Sequence, residues 1–344
     1  MAVSSITSPQ ARERPSGGRG SIAVLGAGAW GTALALLAAS NGVSVYLWAR
    51  RPEHARAMQL ERQNSEYLPG ARFPEQLHPT ANAEEALQQA QFAVLAVPSK
   101  ALRETLRRLP KAKAYVSVIK GLHFTDHHLL RMSQVIEQVV GGSPIAVLSG
   151  PNLAEEIARL LPAAAVVAAR DPALAQQVQQ VFSGKSFRVY TSSDMVGVEL
   201  GGALKNVIAL AAGMVDGLKL GDNAKAALIT RGLREIIRFG VAQGAQETTF
   251  MGLSGLGDLI ATANSHYSRN RSAGERIVRG ETLAQLQAQK SVVEGIYTVK
   301  ALHAWDQETG ADLPITEAVY RVIYERADPM QELSRLMTRE SKAE

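Results

Sequence analysis

Apolar runs alternate with helical patterns along the first half of the chain. The first run, at 22–25, has the length of a buried strand, and residues 32–39 after it form a continuous apolar segment typical of a buried helix. Helical patterns follow at 82–90 and 129–140, among others. Further strand-like runs lie at 43–48, 92–97, 115–119, 145–148 and 163–168. This alternation predicts an α/β fold with a Rossmann-type, doubly wound parallel sheet.

The second half of the chain has a different pattern, with long helical segments and no strand-like run between them. These segments lie at 196–215, 224–243, 248–261, 272–279, 291–308 and 314–325. A change from alternating elements to helices alone indicates a second domain, as the length of 344 residues also favours. We therefore predict an all-helical second domain that begins near residue 193.

The first strand and helix are joined by the glycine-rich turn Gly-Ala-Gly-Ala-Trp-Gly at 26–31. Gly26 permits the tight turn, Gly28 lets a phosphate approach the backbone, and Gly31 lets the helix pack close to the strand. The helix start offers free N–H groups and the positive end of its dipole to an anion. Such turns also occur for structural reasons alone, but the strand before and the helix after this one favour dinucleotide binding.

These patterns divide the chain into four parts. Residues 1–20 are rich in Ser, Pro, Gly and Arg, so we expect a disordered leader in preference to a targeting or nucleic-acid-binding segment. A dinucleotide-binding domain at 21–192 and a helical substrate domain at 193–330 follow, with the active site expected in the cleft between them. Residues 331–344 are expected to form a C-terminal tail.

Composition narrows the class of protein. The chain is 46% hydrophobic and has no cysteine, which excludes disulfides, thiolate metal sites and cysteine nucleophiles and fits a cytoplasmic enzyme. Its seven histidines lack metal-ligand spacing, so no metal is expected. The net charge of +5 suits a phosphorylated small molecule, and no nucleic-acid partner is expected. Residues 20–49 carry no charge, but glycines divide this stretch into pieces too short to span a membrane.

One lysine interrupts an otherwise apolar helical segment. Between Glu199 and Asp216 the only charged residue is Lys205. Such a lysine either reaches the surface along its apolar stem or lies in a cleft, where desolvation lowers its pKa towards the range useful for proton transfer. Asn206 beside it either orients a ligand or satisfies a backbone group.

Two short motifs in the helical half concentrate polar groups. Asp258 follows Gly255 and Gly257, where another group can approach closely. Residues 268–272 read Ser-Arg-Asn-Arg-Ser and combine hydroxyl, guanidinium and amide donors at a helix start, an arrangement suited to phosphate. The same residues are also typical of an ordinary helix cap with solvated arginines.

Taken together, these motifs resemble the bacterial type of NAD(P)-dependent glycerol-3-phosphate dehydrogenase from about residue 21 to residue 325. The motifs that carry the resemblance are GAGAWGTALA at 26–35, IKGL at 119–122, SGPN at 149–152, ELGGALKNVIALAAGMVDGL at 199–218, ALITRGLREI at 227–236, GLSGLGDLIATA at 252–263, SRNR at 268–271, VVEG at 292–295 and LPITEAVY at 313–320. The resemblance implies a homodimer that interconverts dihydroxyacetone phosphate and sn-glycerol 3-phosphate for phospholipid synthesis.

The resemblance also implies roles for individual residues. Lys205 is the implied general acid/base at the reacting C2 oxygen, Lys120 a second cation near substrate and nicotinamide, and Asp258 a polar partner of both substrate and lysine. The other implied substrate residues are Gly150, Asn152, Asn206, Ser268, Arg269 and Asn270. The implied cofactor residues outside the glycines are Ala29, Trp30, Lys120, Ala154, Arg269, Val293 and Glu294. Ala29 and Asn152 depart from the Ser and Thr that are common in the family.

Cofactor choice is predicted from the end of the second strand. NAD-specific sites usually place Asp or Glu there, about 20 residues past the glycines, to bind the ribose 2′-hydroxyl. This chain instead has Arg50 and Arg51 and no carboxylate. Two guanidinium groups favour a 2′-phosphate, so we expect NADP or NAD to be used, with NADPH preferred.

Two other classes of function share some of these features. A 3-hydroxyacid or 6-phosphogluconate type of dehydrogenase also has a Rossmann start, a catalytic lysine and a helical domain, but the GLGDL and SRN motifs argue against it. A non-catalytic dinucleotide sensor would not need Lys120, Lys205 and Asp258 together. A turnover assay with dihydroxyacetone phosphate separates the three.

Overall fold

The computed structural model describes residues 20–289 and 292–339. The predicted leader, apart from Gly20, and the last five residues of the predicted tail lie outside the described residues. The strands, numbered in chain order, are β1 (Ser21–Leu25), β2 (Val45–Trp48), β3 (Gln63–Asn64), β4 (Leu68–Arg72), β5 (Leu77–Thr80), β6 (Ala90–Leu95), β7 (Tyr115–Ser117), β8 (Leu122–Thr125), β9 (His128–Arg131), β10 (Ile145–Ser149), β11 (Ala163–Ala169) and β12 (Phe187–Ser192).

Helices flank the sheet and form the whole second half of the chain. They are α1 (Ala29–Ser40), α2 (Pro52–Glu61), α3 (Ala83–Gln88), α4 (Leu102–Arg108), α5 (Met132–Val140), α6 (Ala154–Ala158), α7 (Pro172–Phe182), α8 (Met195–Gly217), α9 (Gly221–Ala242), α10 (Glu247–Phe250), α11 (Asp258–Asn264), α12 (Arg269–Val278), α13 (Leu283–Gln287), α14 (Glu294–Thr309), α15 (Pro314–Tyr324) and α16 (Pro329–Met337). A 3₁₀ turn at Ser99–Ala101 and a π-helical turn at Leu253–Gly257 complete the elements.

Eight strands form one sheet in the order β12-β11-β10-β7-β6-β1-β2-β5. Its two sides carry separate apolar cores, one of which includes α1, α6 and α7 and the other α4 and α5. The predicted Rossmann-type sheet is confirmed, and all six predicted strands are present with ends shifted by at most two residues. Parallel strands buried on both faces explain their near-continuous apolar runs.

The prediction of a parallel sheet is wrong at one pair, because β11 runs antiparallel to β10. The connection between them contains only α6, whose five residues rise about 7.5 Å. The five residues of β10 span about 17 Å, so this helix by itself is too short to cross back over the sheet. The chain therefore turns back beside β10, and β12 then pairs parallel with β11.

Two predicted helices are interrupted. The pattern at 129–140 includes β9, which pairs with β8 in a hairpin, and only its second part is helical. The segment predicted as one helix at 248–261 consists of α10, a π-helical turn and the start of α11. Three glycines, at 252, 255 and 257, lie in this segment and break the regular helix.

The core of the helical region surrounds α8. This helix packs against α9, α11, α12 and α14, and every residue from 197 to 215 is buried. Within the described part of the chain α8 is the one helix long and apolar enough to cross a membrane, but 94% of its most apolar window is buried inside the protein. It is therefore the central helix of this region.

The end of the described chain also packs on the helical region. Glu332 of α16 accepts from Arg321 of α15 at 2.8 Å, and its side chain is buried. The tail predicted at 331–344 thus begins inside α16, which packs on α15.

Candidate active site

The glycine-rich turn forms a cradle in front of α1. Gly26 has a φ of +121°, and a Cβ there would lie 2.6 Å from the carbonyl oxygen of Ala96. A Cβ on Gly31 would lie 1.9 Å from the carbonyl oxygen of Gly26, so only glycine fits. Gly28, in contrast, faces open space, and no side chain caps the helix that begins at Ala29. Uncapped N–H groups that face open space suit a pyrophosphate.

The other predicted cofactor residues border this cradle or the adjoining helices. The indole Nε1 of Trp30 is buried without a hydrogen-bond partner in the described structure, as expected of a donor that meets a ligand. Ala29 has no side-chain donor, Ala154 begins α6, which packs against α1, and Val293 is the buried N-cap of α14. These residues fit a dinucleotide.

The two predicted lysines meet at one buried carboxylate. Lys120, three residues beyond β7, donates to Asp258 Oδ2 at 2.6 Å and to the carbonyl oxygen of Gly150 at 2.8 Å. Lys205, in the middle of α8, lies with Nζ 3.0 Å from Asp258 Oδ1. The Lys205 side chain is 7% exposed and that of Asp258 2%, so the cluster is almost completely withdrawn from water. Two cations on one carboxylate leave a net positive charge where an anionic substrate group can bind.

Burial changes the proton affinity of Lys205. Desolvation lowers its pKa to about 8, because the ammonium form is poorly stabilised away from water. The charge of Asp258 opposes this shift, whereas the charges of Lys120 and Arg269 add to it. The lysine can therefore gain and lose a proton near neutral pH, which general acid–base chemistry requires.

A chain of amide bonds fixes this cluster relative to α12 and α14. Asn206 donates to the carbonyl oxygen of Lys120 at 2.8 Å and accepts from Asn270 at 2.8 Å. Asn270 in turn accepts from the backbone N–H of Gly295 at 2.9 Å. Both asparagines are buried, so they position the loop that carries Lys120 against three helices.

Two predicted phosphate-binding residues lie at the start of α12. Ser268 is the N-cap, and its hydroxyl accepts from the backbone N–H of Arg271. Arg269 is exposed, yet its charge is near enough to lower the pKa of both Lys205 and Glu294. A guanidinium at a helix N-terminus, close to a buried lysine, is well placed to hold a phosphate.

The turn after β10 contains the predicted substrate residues Gly150 and Asn152. Asn152 donates to the carbonyl oxygen of Ala164 at 3.3 Å, and its Oδ1 is buried without a partner in the described structure. The hydroxyl of Ser149, at the end of the strand, is also buried and unpartnered there. The carbonyl of Gly150 accepts from Lys120, so this turn joins the cluster through its backbone.

Glu294 joins the helical region to the sheet. Its carboxylate accepts from the backbone N–H of Ser99 at 3.0 Å and from the Ser99 hydroxyl at 2.6 Å. Burial raises its pKa, and the Ser99 bonds and the charge of Arg269 oppose this shift. Ser99 follows β6, whose neighbour is β1, so this contact links α14 to the part of the sheet that carries the glycine cradle.

The two arginines predicted to choose the cofactor differ in their surroundings. Arg50 is exposed, whereas Arg51 forms an ion pair with Glu66. Both follow β2, which pairs with β1 and so ends beside the glycine cradle.

Sequence reasoning missed Thr262 and gave Ser99 no specific role. Thr262 Oγ1 lies 2.5 Å from Lys205 Nζ and 3.1 Å from Asp258 Oδ1, so it touches both members of the cluster. Its position four residues after Asp258 on α11 was the available signal. Ser99 lies at the end of a strand, where ligands bind in such sheets. Across the described ranges, no group of three or more His, Asp or Glu could hold a metal ion.

A glycine cradle at the carboxyl ends of a mostly parallel sheet, combined with a buried lysine and carboxylate from a helical region, defines a dinucleotide-dependent dehydrogenase. Two family models match the chain: NAD-dependent glycerol-3-phosphate dehydrogenase N-terminus over residues 21–175 and C-terminus over residues 194–334. The chain belongs to this family.

Named relatives agree. The chain is 58% identical to glycerol-3-phosphate dehydrogenase [NAD(P)+] of Thermus thermophilus over 94% of its own length and 99% of the relative's. It is 52% identical to the Deinococcus radiodurans enzyme of the same name over 93% and 96%. The crystal structure of glycerol-3-phosphate dehydrogenase from Coxiella burnetii superposes with a TM-score of 0.88 at 38% identity, covering 93% of this chain and 99% of that one.

Proposed function

We propose that this enzyme transfers a hydride between NAD(P)H and dihydroxyacetone phosphate to give sn-glycerol 3-phosphate, the backbone of glycerophospholipids. The observation that carries the proposal is the buried Lys120–Asp258–Lys205 cluster, with Arg269 close by and the glycine cradle across the cleft. Family membership and relatives named glycerol-3-phosphate dehydrogenase [NAD(P)+] support it.

Lys205 is the proposed general acid. A reduced nicotinamide, when bound, would supply the hydride for C2, and negative charge would then develop on the C2 oxygen. Protonated Lys205 donates its proton to that oxygen, which raises the rate by a factor of about 10² to 10⁴. Asp258 and Thr262 hold the ammonium through contacts of 3.0 and 2.5 Å, so its position is fixed before the substrate arrives.

The substrate phosphate is the proposed ligand of Arg269 and the start of α12. A forked guanidinium and free N–H groups bind a dianion at a distance from C2, and this binding energy positions the reacting carbon. Lys120 adds a second positive charge on the sheet side of the cleft. The asparagines 206 and 270 hold these two sides together and are positioning residues.

The proposal includes finer points. Arg50 and Arg51 support preference for NADPH, since neither offers a carboxylate to a ribose hydroxyl. A cytoplasmic location is compatible with a chain that has no cysteine. The family resemblance supports a homodimer, and light scattering during gel filtration measures the mass of the assembly.

Oxidation of NADPH with dihydroxyacetone phosphate as the only other reactant tests the reaction and the cofactor together. We expect the NADPH absorbance to fall rapidly with dihydroxyacetone phosphate, and we expect no rise in absorbance when NADP is mixed with 3-hydroxyacids or 6-phosphogluconate. Turnover of those substrates instead would contradict the proposal. Binding of NADPH without any turnover would indicate a sensor.

A further inference from the structure

The ion pair between Arg51 and Glu66 lies where the cofactor's adenosine ribose is expected. β1 and β2 are parallel and in register, with Leu25 opposite Trp48, so Arg51 follows β2 directly beside the glycine cradle. The backbone N–H of Gly26 donates to the carbonyl of Trp48 at 3.1 Å, which fixes the two strand ends together. Arg51 itself is the N-cap of α2.

Glu66 is held near the cradle by its neighbour Asn64. The Asn64 side chain is fully buried and donates to the carbonyl of Ala27 at 2.9 Å and to the Thr32 hydroxyl at 2.8 Å. Asn64 Oδ1 accepts from the backbone N–H of Tyr67 at 3.2 Å, which closes the turn that contains Glu66. The segment is thus bonded to the cradle itself, and a carboxylate is brought to the arginine from 15 residues away.

We propose that Glu66 is a specificity-determining residue that masks Arg51 and reduces the preference for NADPH over NADH. The inference rests on the proposed use of both nucleotides. A 2′-phosphate must displace the Glu66 carboxylate from the guanidinium and then bind beside a like charge, whereas a 2′-hydroxyl meets neither cost. Sequence reasoning found no carboxylate at the end of β2, yet the fold supplies one from the β3–β4 hairpin.

The surroundings give the carboxylate room to move aside. A cavity of about 250 Å³ adjoins the pair and is lined by Arg51, His54, Met58, Glu61, Ser65 and Glu66. The Arg51 side chain is 42% exposed and that of Glu66 24%, so the pair is partly solvated and can be opened. Glu66 therefore lowers the ratio of NADPH affinity to NADH affinity and does not exclude NADPH.

The test compares Glu66→Gln with Glu61→Gln by calorimetric binding of adenosine 2′,5′-bisphosphate and AMP. Glu61 lines the same cavity, but its carboxylate accepts from the Ser65 hydroxyl. Glu61→Gln therefore removes one negative charge from the same cavity and serves as the matched control. Glu66→Gln should tighten the bisphosphate about threefold or more and change AMP less than twofold, as expected for a partly exposed ion pair. Glu61→Gln should change neither ligand more than about twofold.

A second pair of variants shows whether Glu66 acts through Arg51. In a protein that already carries Arg51→Ala, Glu66→Gln should change the affinity for the bisphosphate much less. The logarithm of this fold-change should be less than half of its value in the wild-type background. An undiminished effect there, no effect in the wild type, or an equal effect on AMP would overturn the proposal. Wild-type protein that binds neither nucleotide would count against the proposed function, whereas normal binding with an inert Glu66→Gln would count against Glu66 alone.

Discussion

The glycine cradle and the loop that carries Lys120 follow β1 and β7, the parallel strands on either side of β6 in one sheet, but the cradle and the lysine cluster are built in different ways. The cradle is made of backbone from six consecutive residues, and its shape follows from Gly26 and Gly31 alone. The cluster is made of side chains from α8, α11 and the loop after β7, with Lys120 and Asp258 separated by 138 positions. A local site can be recognised in a sequence, whereas a site of this second kind exists only after folding.

The largest expected effect separates chemistry from cofactor binding. Lys205→Ala should lower kcat by about 10² to 10⁴, because the proton donor to the C2 oxygen is lost. NADPH affinity should remain, since the cradle lies in the sheet region. Lys205→Arg should also fail, because a guanidinium cannot release a proton near neutral pH. Steady-state kinetics measure kcat, and a fluorescence titration measures the affinity for NADPH. If the Ala variant kept more than about a tenth of wild-type kcat, the role of general acid would move to Lys120.

The converse change acts on the cradle. Gly31→Ala places a Cβ 1.9 Å from the Gly26 carbonyl oxygen, so α1 must move away from β1. We expect a loss of roughly 3 kcal/mol of unfolding free energy and a marked weakening of NADPH binding. Ala33→Gly is the control, because it also alters a small residue of α1 but adds no atoms. Unchanged nucleotide affinity in Gly31→Ala would show that the cradle does not hold the cofactor.

Arg269 sharpens the comparison on the substrate side. Arg269→Lys keeps the charge but removes the forked donor, so KM for dihydroxyacetone phosphate should rise about tenfold. Dihydroxyacetone, which lacks the phosphate, should lose little of its slow turnover. If both substrates respond alike, Arg269 is a surface residue without a role in phosphate binding.

Thr262 has the smallest expected effect. Thr262→Val removes the hydroxyl that contacts Lys205 and Asp258 and keeps the shape of the side chain. We expect kcat to fall about fivefold, the cost of one or two hydrogen bonds, with KM little changed. Thr230, an exposed threonine that bonds only its own helix, is the control position for the same replacement.

The sequence predicted the fold further than it predicted the site. Periodicity located the strands and the long helices, because burial on two faces or one leaves a local pattern. It did not show the reversal of β11, which depends on the length of α6, or the breaks that glycines introduce before Asp258. Spacing alone left Lys205 open to a surface role, and only packing around α8 shows that it is buried against Asp258.

The residues that sequence reasoning missed were those that act through distant partners. Thr262 looks like any threonine in an apolar helix, and its contact with Lys205 crosses 57 positions. Glu66 lies in a polar turn, and nothing nearby in sequence connects it with Arg51. Ser268 is the opposite case. The sequence predicted it as a substrate residue, and in the structure its hydroxyl caps α12 by accepting from the backbone N–H of Arg271.

The central claim, that Lys205 transfers the proton, is tested most directly by the pH dependence of kcat/KM for dihydroxyacetone phosphate. Reduction needs the protonated lysine, whose pKa burial lowers to about 8. The rate should therefore be level below that pH and fall about tenfold per unit above it, and the reverse reaction should rise over the same range. The fall in rate above about pH 8 should be absent from the residual activity of Lys205→Ala. A profile that stays level through pH 9, or an identical limb in the variant, would contradict the claim.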